Sequence, residues 1–462
     1  MIERRDDSSV ATILKIHYLI VGAGIAGIAA AEAIREVDSV KKITLINAEP
    51  YPPYCRPLII EVLTGERSFD DIKLRDDKWY KANKINLVNS DRATKLDPGK
   101  KILTLESGKG IEFKKLLITT GSIPATPPIP GLDKVPAFNL YRRDDVESLK
   151  PLCKPGARAL IIGIGLIGLQ AIIALKKLGV DIVAVEMLEK VLPLILDKEA
   201  AKHARKRLEE NGVDVHIGTA VKELKPIQEK PHPYVALTAS GNEIGFDFLI
   251  LSTGMKPDKS VLNGSGIDSG RGIKVSSTMQ TNIPGIFAAG DVVEYPDWIE
   301  GENTIHAHWV NAYRQGRIAG LNMAGISSEP YEPVYLNSLT IFGLPIITMG
   351  ASRLDDPKGA EVYVSEIPSR EAYTRFVVRD GKLIAATFIN DVDRAGVLQY
   401  LMREKIDVGD VAHSLFDQGK EGLEFLYKLH NDIVKGDVEW AASMDLIDKY
   451  RKDMKRTRWG GK

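Results

Sequence analysis

One pattern of glycines occurs twice in this chain of 462 residues. The first copy is Gly22-Ala-Gly24-Ile-Ala-Gly27, and the second is Gly163-Ile-Gly165-Leu-Ile-Gly168. Each copy follows a short apolar run and precedes a stretch with helical periodicity, which predicts a turn between a buried strand and a helix. A chain with two such strand–turn–helix units is predicted to build two parallel sheets flanked by helices.

Each copy is followed by a second apolar strand that ends near an acidic residue. Glu49 and Glu186 each lie about 20 residues after the last glycine of their copy, as in dinucleotide-binding sites. In such a site the first glycine makes a tight turn, the second lets the backbone approach a pyrophosphate, and the third lets helix and strand pack closely. One GxGxxG is a weak signal, but two complete copies in one chain argue against a purely structural role.

The second acid also bears on which nucleotide binds there. A carboxylate at the end of this strand accepts hydrogen bonds from both ribose hydroxyls of NAD and repels a 2′-phosphate. After Glu186 come Met187, Leu188 and Glu189, and Lys190 is the only nearby cation. We therefore expect NADH to be preferred over NADPH.

Composition excludes several other classes of protein. The chain has 62 basic and 62 acidic residues, a balance that argues against nucleic-acid binding. Cys55 and Cys153 are too few for a disulfide framework, a zinc site or an iron–sulfur cluster, and we interpret the pair His306 and His308 as structural rather than metal-binding. The charged start and the interrupted apolar stretch 13–31 predict no signal peptide and no membrane span. We expect a soluble, cytoplasmic protein.

Four further segments complete a resemblance to the two-dinucleotide-domain flavoproteins of the pyridine nucleotide-disulfide oxidoreductase superfamily. The segments are Pro53-Tyr-Cys-Arg-Pro57, Leu116-Leu-Ile-Thr-Thr-Gly121, Phe248-Leu-Ile-Leu-Ser-Thr-Gly254 and Ile286-Phe-Ala-Ala-Gly-Asp-Val292. They are similar, in that order, to the YxRP stretch, the two ATG-type motifs and the late FAD fingerprint of that superfamily. The nearest relatives implied are rubredoxin reductases, ferredoxin reductases and the flavoprotein part of nitrite reductases.

The resemblance implies FAD in the first site and NAD(H) in the second. The residues implied to hold FAD are Gly22, Ala23, Gly24, Ala26, Gly27, Glu49, Arg56, Thr120, Gly121, Gly290 and Asp291. The residues implied to hold NAD(H) are Gly163, Gly165, Leu166, Ile167, Gly168, Glu186 and Gly254. In this arrangement Arg56 is expected to reach the FAD pyrophosphate, and Asp291 is expected to hold the ribityl chain.

Three residues are implied to act beside the flavin. Trp309 begins a segment similar to the WxxAxxQG helix of these reductases and is expected to cover the flavin, with packing of its ring into the core as an equal alternative. Glu61 and Gln170 stand where ferredoxin-type reductases often carry a lysine and a glutamate. The missing cation would make the flavin harder to reduce, and Gln170 would hydrogen-bond a carboxamide. Hydride transfer from nicotinamide to flavin is direct and needs no general acid.

The expected fold class is α/β, with two Rossmann-like domains, a C-terminal α+β domain and a helical basic tail. The FAD domain, residues 1–125 and 257–326, would be interrupted by the NAD domain, residues 126–256; the α+β interface domain and the tail would be residues 327–435 and 436–462. The α+β domain is predicted to contain a hairpin that turns at Asp380-Gly381. In this superfamily such a domain supports homodimers or docks the electron acceptor.

The end of the chain is strongly basic. Lys449 to Lys462 hold seven basic residues against one acid, Asp453. Such a segment is consistent with a solvated helix end whose cations suit the helix dipole. Our sharper hypothesis is that it binds a partner protein, because basic charge attracts acidic electron carriers.

Our leading hypothesis is that the protein is an oxidoreductase. It would exchange hydride between NAD(H) and FAD, and single electrons with an iron–sulfur or rubredoxin-type partner. It would act alone or as the NAD-linked subunit of a larger redox complex. An alternative is a single-cysteine thiol/disulfide reductase or NADH oxidase that uses Cys55. A third reading is a non-enzymatic NAD sensor with structural FAD, because a fold does not fix a function.

Overall fold

The computed structural model describes residues 14–227, 231–333, 335–417 and 419–436. The chain divides into two compact units, Met1–Asp355 and Asp356–Lys462. Within the described ranges no helix is both long and apolar enough to span a bilayer. The basic tail beyond Gly436, which is predicted to be helical, lies outside the described residues.

The strands are β1 (Leu14–Val21), β2 (Ile43–Ile46), β3 (Ile85–Val88), β4 (Ala93–Asp97), β5 (Ile102–Leu105), β6 (Gly110–Ile118), β7 (Ser122–Pro124), β8 (Ala137–Phe138), β9 (Arg158–Ile162), β10 (Asp181–Val185), β11 (Val213–His216), β12 (Val221–Pro226), β13 (Tyr234–Thr238), β14 (Glu243–Phe246), β15 (Phe248–Leu251), β16 (Met255–Pro257), β17 (Ile273–Lys274), β18 (Ile286–Ala288), β19 (Val293–Pro296), β20 (Asn303–Thr304), β21 (Leu336–Ile341), β22 (Leu344–Gly350), β23 (Glu361–Ile367), β24 (Ala372–Arg379) and β25 (Lys382–Ile389). The α-helices are α1 (Ile25–Val37), α2 (Ile59–Thr64), α3 (Asp77–Ala82), α4 (Arg143–Leu149), α5 (Leu166–Lys177), α6 (Lys198–Glu210), α7 (Trp309–Ala324), α8 (Ala395–Arg403), α9 (Ala412–Asp417) and α10 (Lys420–Gly436).

The first sheet carries the first glycine turn. Its strand order is β3-β2-β1-β6-β5-β4, and β18 pairs with the end of β6. Strands β3, β2, β1, β6 and β18 run parallel. Strands β2 and β18 and the carboxyl-terminal ends of β1 and β6 are buried, as expected for the centre of a sheet covered on both faces. Strand β18 follows all the strands of the second sheet in sequence. The chain segment that forms the first sheet is therefore interrupted by the segment that forms the second.

Helices α1 and α7 pack against each other at very short range. A Cβ atom on Gly316 would lie 2.2 Å from the carbonyl oxygen of Ala26, and one on Gly320 would lie 2.4 Å from that of Ala30. Only glycine fits at these two positions of α7. The close packing also brings Gln315 to β18, where its Oε1 accepts a hydrogen bond of 2.7 Å from the backbone N–H of Gly290.

The second sheet carries the second glycine turn. Its five strands are parallel in the order β11-β10-β9-β15-β8. An antiparallel sheet of β12, β13 and β14, which the sequence did not indicate, is inserted between β11 and β15. Leu160, Val183 and Leu249 belong to the buried cluster that joins these layers. The predicted pair of Rossmann-like sheets is therefore confirmed.

A short ribbon connects the two sheets. Strand β7 leaves the first sheet and β16 leaves the second, and the two pair antiparallel with Ser122 opposite Pro257. The hydroxyl of Thr253 donates to the carbonyl oxygen of Ala125 at 2.7 Å, beside this ribbon. The outgoing and returning chain segments are thus held side by side.

Antiparallel strands near the end of the chain confirm the sheet of the predicted C-terminal α+β domain. Strands β21 and β22 form a hairpin near the end of the first unit. In the second unit β23, β24 and β25 form an antiparallel meander, of which β23 was not predicted. Asp380 and Gly381 have φ angles of 49° and 71°, as a type I′ turn requires, so the predicted hairpin turn is confirmed.

Replacement of Gly320 by alanine is expected to lower the free energy of unfolding, because the new methyl group would overlap the carbonyl oxygen of Ala30. Overpacking of this kind costs about 1–3 kcal/mol, measurable by chemical denaturation. Gly396 in α8 is the matched control, because a Cβ atom there has no neighbour within 4 Å. Gly396→Ala should stabilise by about 0.5–1 kcal/mol. Equal effects of the two substitutions would contradict the helix contact described above.

Candidate functional site

The first glycine turn lies at the carboxyl end of β1. A Cβ atom on Gly22 would lie 2.1 Å from the carbonyl oxygen of Thr119, and one on Gly27 would lie 2.1 Å from the carbonyl oxygen of Gly22. Gly24 differs, because a Cβ atom there would meet nothing within 4 Å. Packing therefore requires glycine at the first and third positions, and the second leaves open space at the start of α1.

The second glycine turn repeats this geometry at the end of β9. A Cβ atom on Gly163 would lie 2.5 Å from the carbonyl oxygen of Ser252, and one on Gly168 would lie 2.1 Å from that of Gly163. The position of Gly165 is open. The two turns are thus built alike, with the same glycine positions packed and the same position left free.

A hydroxyl from the neighbouring strand braces each turn. The Thr119 hydroxyl donates to the carbonyl oxygens of Val21 and Gly22 at 3.0 and 2.8 Å. The Ser252 hydroxyl donates to the carbonyl oxygens of Ile162 and Gly163 at 3.0 and 2.5 Å. The carbonyl oxygens of Gly22 and Gly163 thereby gain a partner. Those of Val21 and Ile162 also accept the backbone N–H groups of Thr119 and Ser252, at 2.7 and 2.9 Å.

Glu186 is fixed against the second glycine turn. Its carboxylate accepts hydrogen bonds from the backbone N–H groups of Ile164 at 2.8 Å and Leu188 at 3.0 Å. The residue is buried. The negative charge is therefore held in one position at the end of β10.

Lys190, the one cation that the sequence placed near Glu186, is engaged elsewhere. Its ammonium group donates to the carbonyl oxygen of Arg353 at 2.9 Å and pairs with Asp355 at 3.0 Å. Only 16% of its side chain is exposed. This cation is therefore not free to receive a phosphate beside Glu186.

A cavity opens beside the first glycine turn. The residues implied by the sequence that line it are Gly22, Ala23, Gly24, Glu49, Arg56, Thr120 and Gly121. The structure adds Asp91, Arg92, Tyr141 and Asp258 to the lining, which sequence reasoning missed. Residues from seven separate stretches of chain thus converge on one polar cleft.

Glu49 and Arg56 form an ion pair in this cleft. The hydroxyl of Tyr54 donates to Glu49 at 2.7 Å, and Nη1 of Arg56 donates to the carbonyl oxygen of Tyr141 at 3.0 Å. The carboxylate and the guanidinium therefore orient each other, and each has a further hydrogen-bond partner.

Asp291 follows Gly290 at the end of β18. The hydroxyl of Ser122 donates to Oδ2 of Asp291 at 3.3 Å. Burial raises the pKa of the Asp291 carboxyl, and the Ser122 hydrogen bond and the charge of Arg56 oppose that rise. Asp291 does not itself line the cavity, but its partner Ser122 does, so its carboxylate is linked to the cleft through that residue.

The lining residues that were missed join distant parts of the sequence. Nη1 of Arg92 donates to Oδ2 of Asp258 at 3.1 Å, and the hydroxyl of Thr120 donates to the Asp258 carbonyl oxygen at 2.7 Å. The backbone N–H of Asp258 donates to the carbonyl oxygen of Gly121 at 2.9 Å. Asp258 follows the last residue of the second ATG-type segment, Gly254, by four positions, and this was the only sequence signal for the contact.

The three residues implied to act beside the flavin lie on three helices. Glu61 lies on α2 and is ion-paired with Arg67. Gln170 is exposed on α5, and α2 packs against α5. Trp309 is the first residue of α7 and is partly exposed. Their roles stay predictions.

The remaining implied residues lie at the two helix starts and at the second crossover. Ala26 is buried in the first turn of α1, where its carbonyl oxygen faces Gly316. Leu166 and Ile167 open α5, and Leu166 is 37% exposed. The carbonyl oxygen of Gly254 accepts a hydrogen bond from Ala125 at 2.9 Å, next to the ribbon of β7 and β16.

Neither cysteine is activated. Burial raises the pKa of Cys55, and it raises the pKa of Cys153 to about 11. The thiol of Cys153 donates to the carbonyl oxygen of Leu149 at 3.4 Å. Because the thiolate is the nucleophile, a thiol-based mechanism gains no support from either residue.

His306 is buried beside an acidic residue. Its Nε2 lies 3.6 Å from Oδ2 of Asp297, and its ring stacks edge-on with Tyr335. Burial lowers the pKa of His306 despite the nearby carboxylate. Among the described residues there is no cluster of three or more His, Cys, Asp or Glu side chains that would hold a metal ion.

Comparison with known proteins gives the family. Residues 16–316 match the sequence profile of the pyridine nucleotide-disulphide oxidoreductases, and residues 336–406 match that of the rubredoxin NAD+ reductase C-terminal domain. The chain is 32% identical over 374 residues to the NADH-rubredoxin oxidoreductase of Clostridium acetobutylicum, covering 81% of this chain and 91% of that protein. It is 31% identical to the epsilon subunit of the NADH-dependent phenylglyoxylate dehydrogenase of Aromatoleum evansii, covering 85% and 92% of the two chains.

The crystal structure of the Clostridium acetobutylicum NADH:rubredoxin oxidoreductase superimposes with a TM-score of 0.71 at 28% identity, covering 88% of this chain and 99% of that one. The chain therefore belongs to the pyridine nucleotide-disulphide oxidoreductase family. It is a flavin oxidoreductase that uses FAD and NAD(H), as the sequence predicted.

The described residues fit both nucleotides. Each glycine turn leaves open space at its second glycine, in front of a helix start whose first backbone N–H groups have no partner within the helix. Arg56 adds a cation to the first cleft. Each site therefore offers hydrogen-bond donors for a pyrophosphate and a carboxylate that would accept hydroxyl groups of a ribose.

Alkylation of Cys55 is expected to be slow at neutral pH, because burial raises the pKa of its thiol. In a Cys153→Ser background, the rate with iodoacetamide should rise with pH and reach half its maximum only above pH 9.0, the ordinary value. The rate constant against pH, with free cysteine as reference, checks this. A midpoint below neutral pH would show an activated thiolate and would revive the single-cysteine mechanism.

Proposed function

We propose that this chain passes electrons from NADH through FAD to an iron–sulfur or rubredoxin-type carrier protein. The observation that carries the proposal is the pair of equivalent glycine turns on two sheets joined by the ribbon of β7 and β16. In this proposal the two nucleotides, bound on one scaffold, exchange electrons directly. The choice of acceptor is supported by the similarity to a NADH-rubredoxin oxidoreductase over 91% of that protein and by the absence of an activated thiol among Cys55 and Cys153.

In this proposal the first cleft binds FAD. The start of α1 and Arg56 face the pyrophosphate, Glu49 accepts a ribose hydroxyl, and Asp291 accepts hydroxyl groups of the ribityl chain. Thr120 and Gly121 hold the ATG-type turn in place through Asp258. The FAD domain would comprise residues 1–125 and 257–326.

The second glycine turn binds NAD(H), in a domain of residues 126–256. Glu186 would accept both ribose hydroxyls of the adenosine, because its carboxylate is already fixed by Ile164 and Leu188. A 2′-phosphate would meet this charge without a free cation, since Lys190 is held by Asp355. The preference for NADH over NADPH follows from this arrangement.

FAD, when bound, accepts a hydride from the nicotinamide and releases its electrons one at a time. Trp309 would cover its ring, Gln170 would hydrogen-bond the carboxamide, and Glu61 would replace the cation found in ferredoxin-type reductases. Glu61 is neutralised by Arg67 in the structure, so the net charge at this position is smaller than the carboxylate alone suggests.

The chain could perform the same electron transfer as the NAD-linked subunit of a larger redox complex. The relative with 31% identity over 92% of its length is itself named as a subunit of a dehydrogenase. Residues 327–435 would then form the interface domain, as they also would in a homodimer. The basic tail, residues 436–462, remains our hypothesis for the partner contact. The cytoplasmic location stays a prediction from the sequence.

The test is carrier reduction under anaerobic conditions. The FAD-loaded protein, given NADH, should reduce oxidised rubredoxin or a [2Fe–2S] ferredoxin, followed by the carrier's visible absorbance. Cys55→Ser should keep the rate within about twofold, because no thiol takes part, and Cys153→Ser serves as the matched control. Loss of carrier reduction in Cys55→Ser alone would replace this proposal with the thiol mechanism.

A further inference from the structure

Tyr141 lies in the first cleft but is carried by the second sheet. It follows β8, the edge strand that pairs with β15. Its side chain nevertheless lines the cavity beside Gly22 and Arg56. It is therefore a point where the scaffold of the nicotinamide site reaches into the flavin site.

Tyr141 contacts the Arg56 guanidinium in two ways. The guanidinium carbon lies 4.4 Å from the centre of the Tyr141 ring, within the range of a cation–π interaction. In addition, Nη1 of Arg56 donates to the Tyr141 carbonyl oxygen at 3.0 Å. Glu49 pairs with Nη2 of Arg56. The guanidinium is therefore held by the Tyr141 ring on its face, by the Tyr141 carbonyl oxygen at Nη1 and by Glu49 at Nη2.

Tyr141 is itself fixed. Its hydroxyl donates to the carbonyl oxygen of Ser122 at 2.9 Å, and its backbone N–H donates to Oδ2 of Asp145 at 3.0 Å. Ser122 in turn donates to Asp291. The ring is thus anchored at both ends, and it cannot turn away from Arg56 without breaking these bonds.

We propose that Tyr141 is a positioning residue, which orients Arg56 for the pyrophosphate of FAD and acts only through that arginine. The proposal rests on the assignment of Arg56 to the FAD pyrophosphate made above. A free arginine side chain loses much rotamer entropy when it binds an anion, and a preoriented guanidinium loses less. Removal of the aromatic face should therefore weaken FAD binding without removing any group that touches the cofactor's phosphates.

The test measures the dissociation constant of FAD for apoprotein, by quenching of flavin fluorescence, together with thermal unfolding of the apoprotein. Tyr141→Leu should weaken FAD binding by about tenfold, the size expected for a partly buried cation–π contact. Tyr141→Phe keeps the ring and the carbonyl group and should stay within about twofold of the native affinity. If Tyr141→Leu does not fold, Tyr141→Met takes its place.

A matched control is available on the neighbouring loop. The ring of Tyr51 lies 4.3 Å from the Arg143 guanidinium, and its hydroxyl donates to Asp144, but it does not line the cavity. Tyr51→Leu removes the same kind of contact and should leave FAD affinity unchanged, whatever it does to thermal stability. Equal weakening by Tyr51→Leu and Tyr141→Leu would mean a general structural effect and would overturn the proposal.

The decisive step repeats Tyr141→Leu in an Arg56→Gln background. If Tyr141 acts through Arg56, then Tyr141→Leu should weaken FAD binding by less than about twofold beyond the loss that Arg56→Gln causes alone. Full additivity, or no effect of Tyr141→Leu on its own, would overturn the inference while leaving the pyrophosphate role of Arg56 intact. Unchanged FAD affinity in Arg56→Gln itself would overturn both that role and the inference, whereas carrier reduction tests the proposed function separately.

Discussion

The structure depends on one constraint, the contact between a glycine turn and the backbone of the adjacent strand. Gly22 lies so close to the Thr119 carbonyl oxygen, and Gly163 to that of Ser252, that any side chain would force the strands apart. Because the third glycine of each turn packs on the first, the following helix begins at a fixed point above the sheet. The second glycine of each turn, Gly24 or Gly165, has open space beside it and would face the bound nucleotide. The position of each nucleotide site is therefore set by backbone packing at the glycine turn.

The same constraint links the two sites. The strand residues that pack on the glycines, Thr119 and Ser252, directly precede the segments that leave each sheet and pair as β7 and β16. A displacement at either glycine turn would therefore be transmitted to the ribbon. Contacts such as that of Asp258 with Thr120 and Gly121 tie the returning chain to the first site. The two nucleotide sites thus share one continuous backbone framework in the first unit.

Much of this framework was predictable from the sequence, because glycine spacing and apolar runs are local signals. The two sheets and the turn at Asp380-Gly381 follow from such signals, whereas the interruption of the first sheet by the second was implied by the resemblance to the flavoprotein superfamily. Arg92 and Tyr141 were not predictable, since neither belongs to a periodic pattern or a motif. They reach the cleft only because distant strands become neighbours in the fold. Strand β23 was missed because most of its side chains are exposed and give no alternation of apolar and polar residues.

The sequence also could not reveal which charges are already paired. Lys190 looked available beside Glu186, and its engagement by Asp355 depends on a chain segment far along the sequence. Glu61 likewise has a partner, Arg67, which lies outside any recognised motif. Spacing rules give the residue types at a site, whereas the net charge of that site depends on tertiary contacts.

Electron exchange between the two nucleotide sites is tested most directly by an anaerobic stopped-flow experiment with the FAD-loaded protein and NADH. The visible absorbance of the flavin should bleach with about one equivalent of NADH, because both nucleotides bind to the same unit and exchange a hydride. NADPH at the same concentration should act far more slowly, because Glu186 opposes its 2′-phosphate. A flavin that stays oxidised in excess NADH would contradict electron exchange between the two sites and would make the chain a nucleotide-binding protein rather than a reductase.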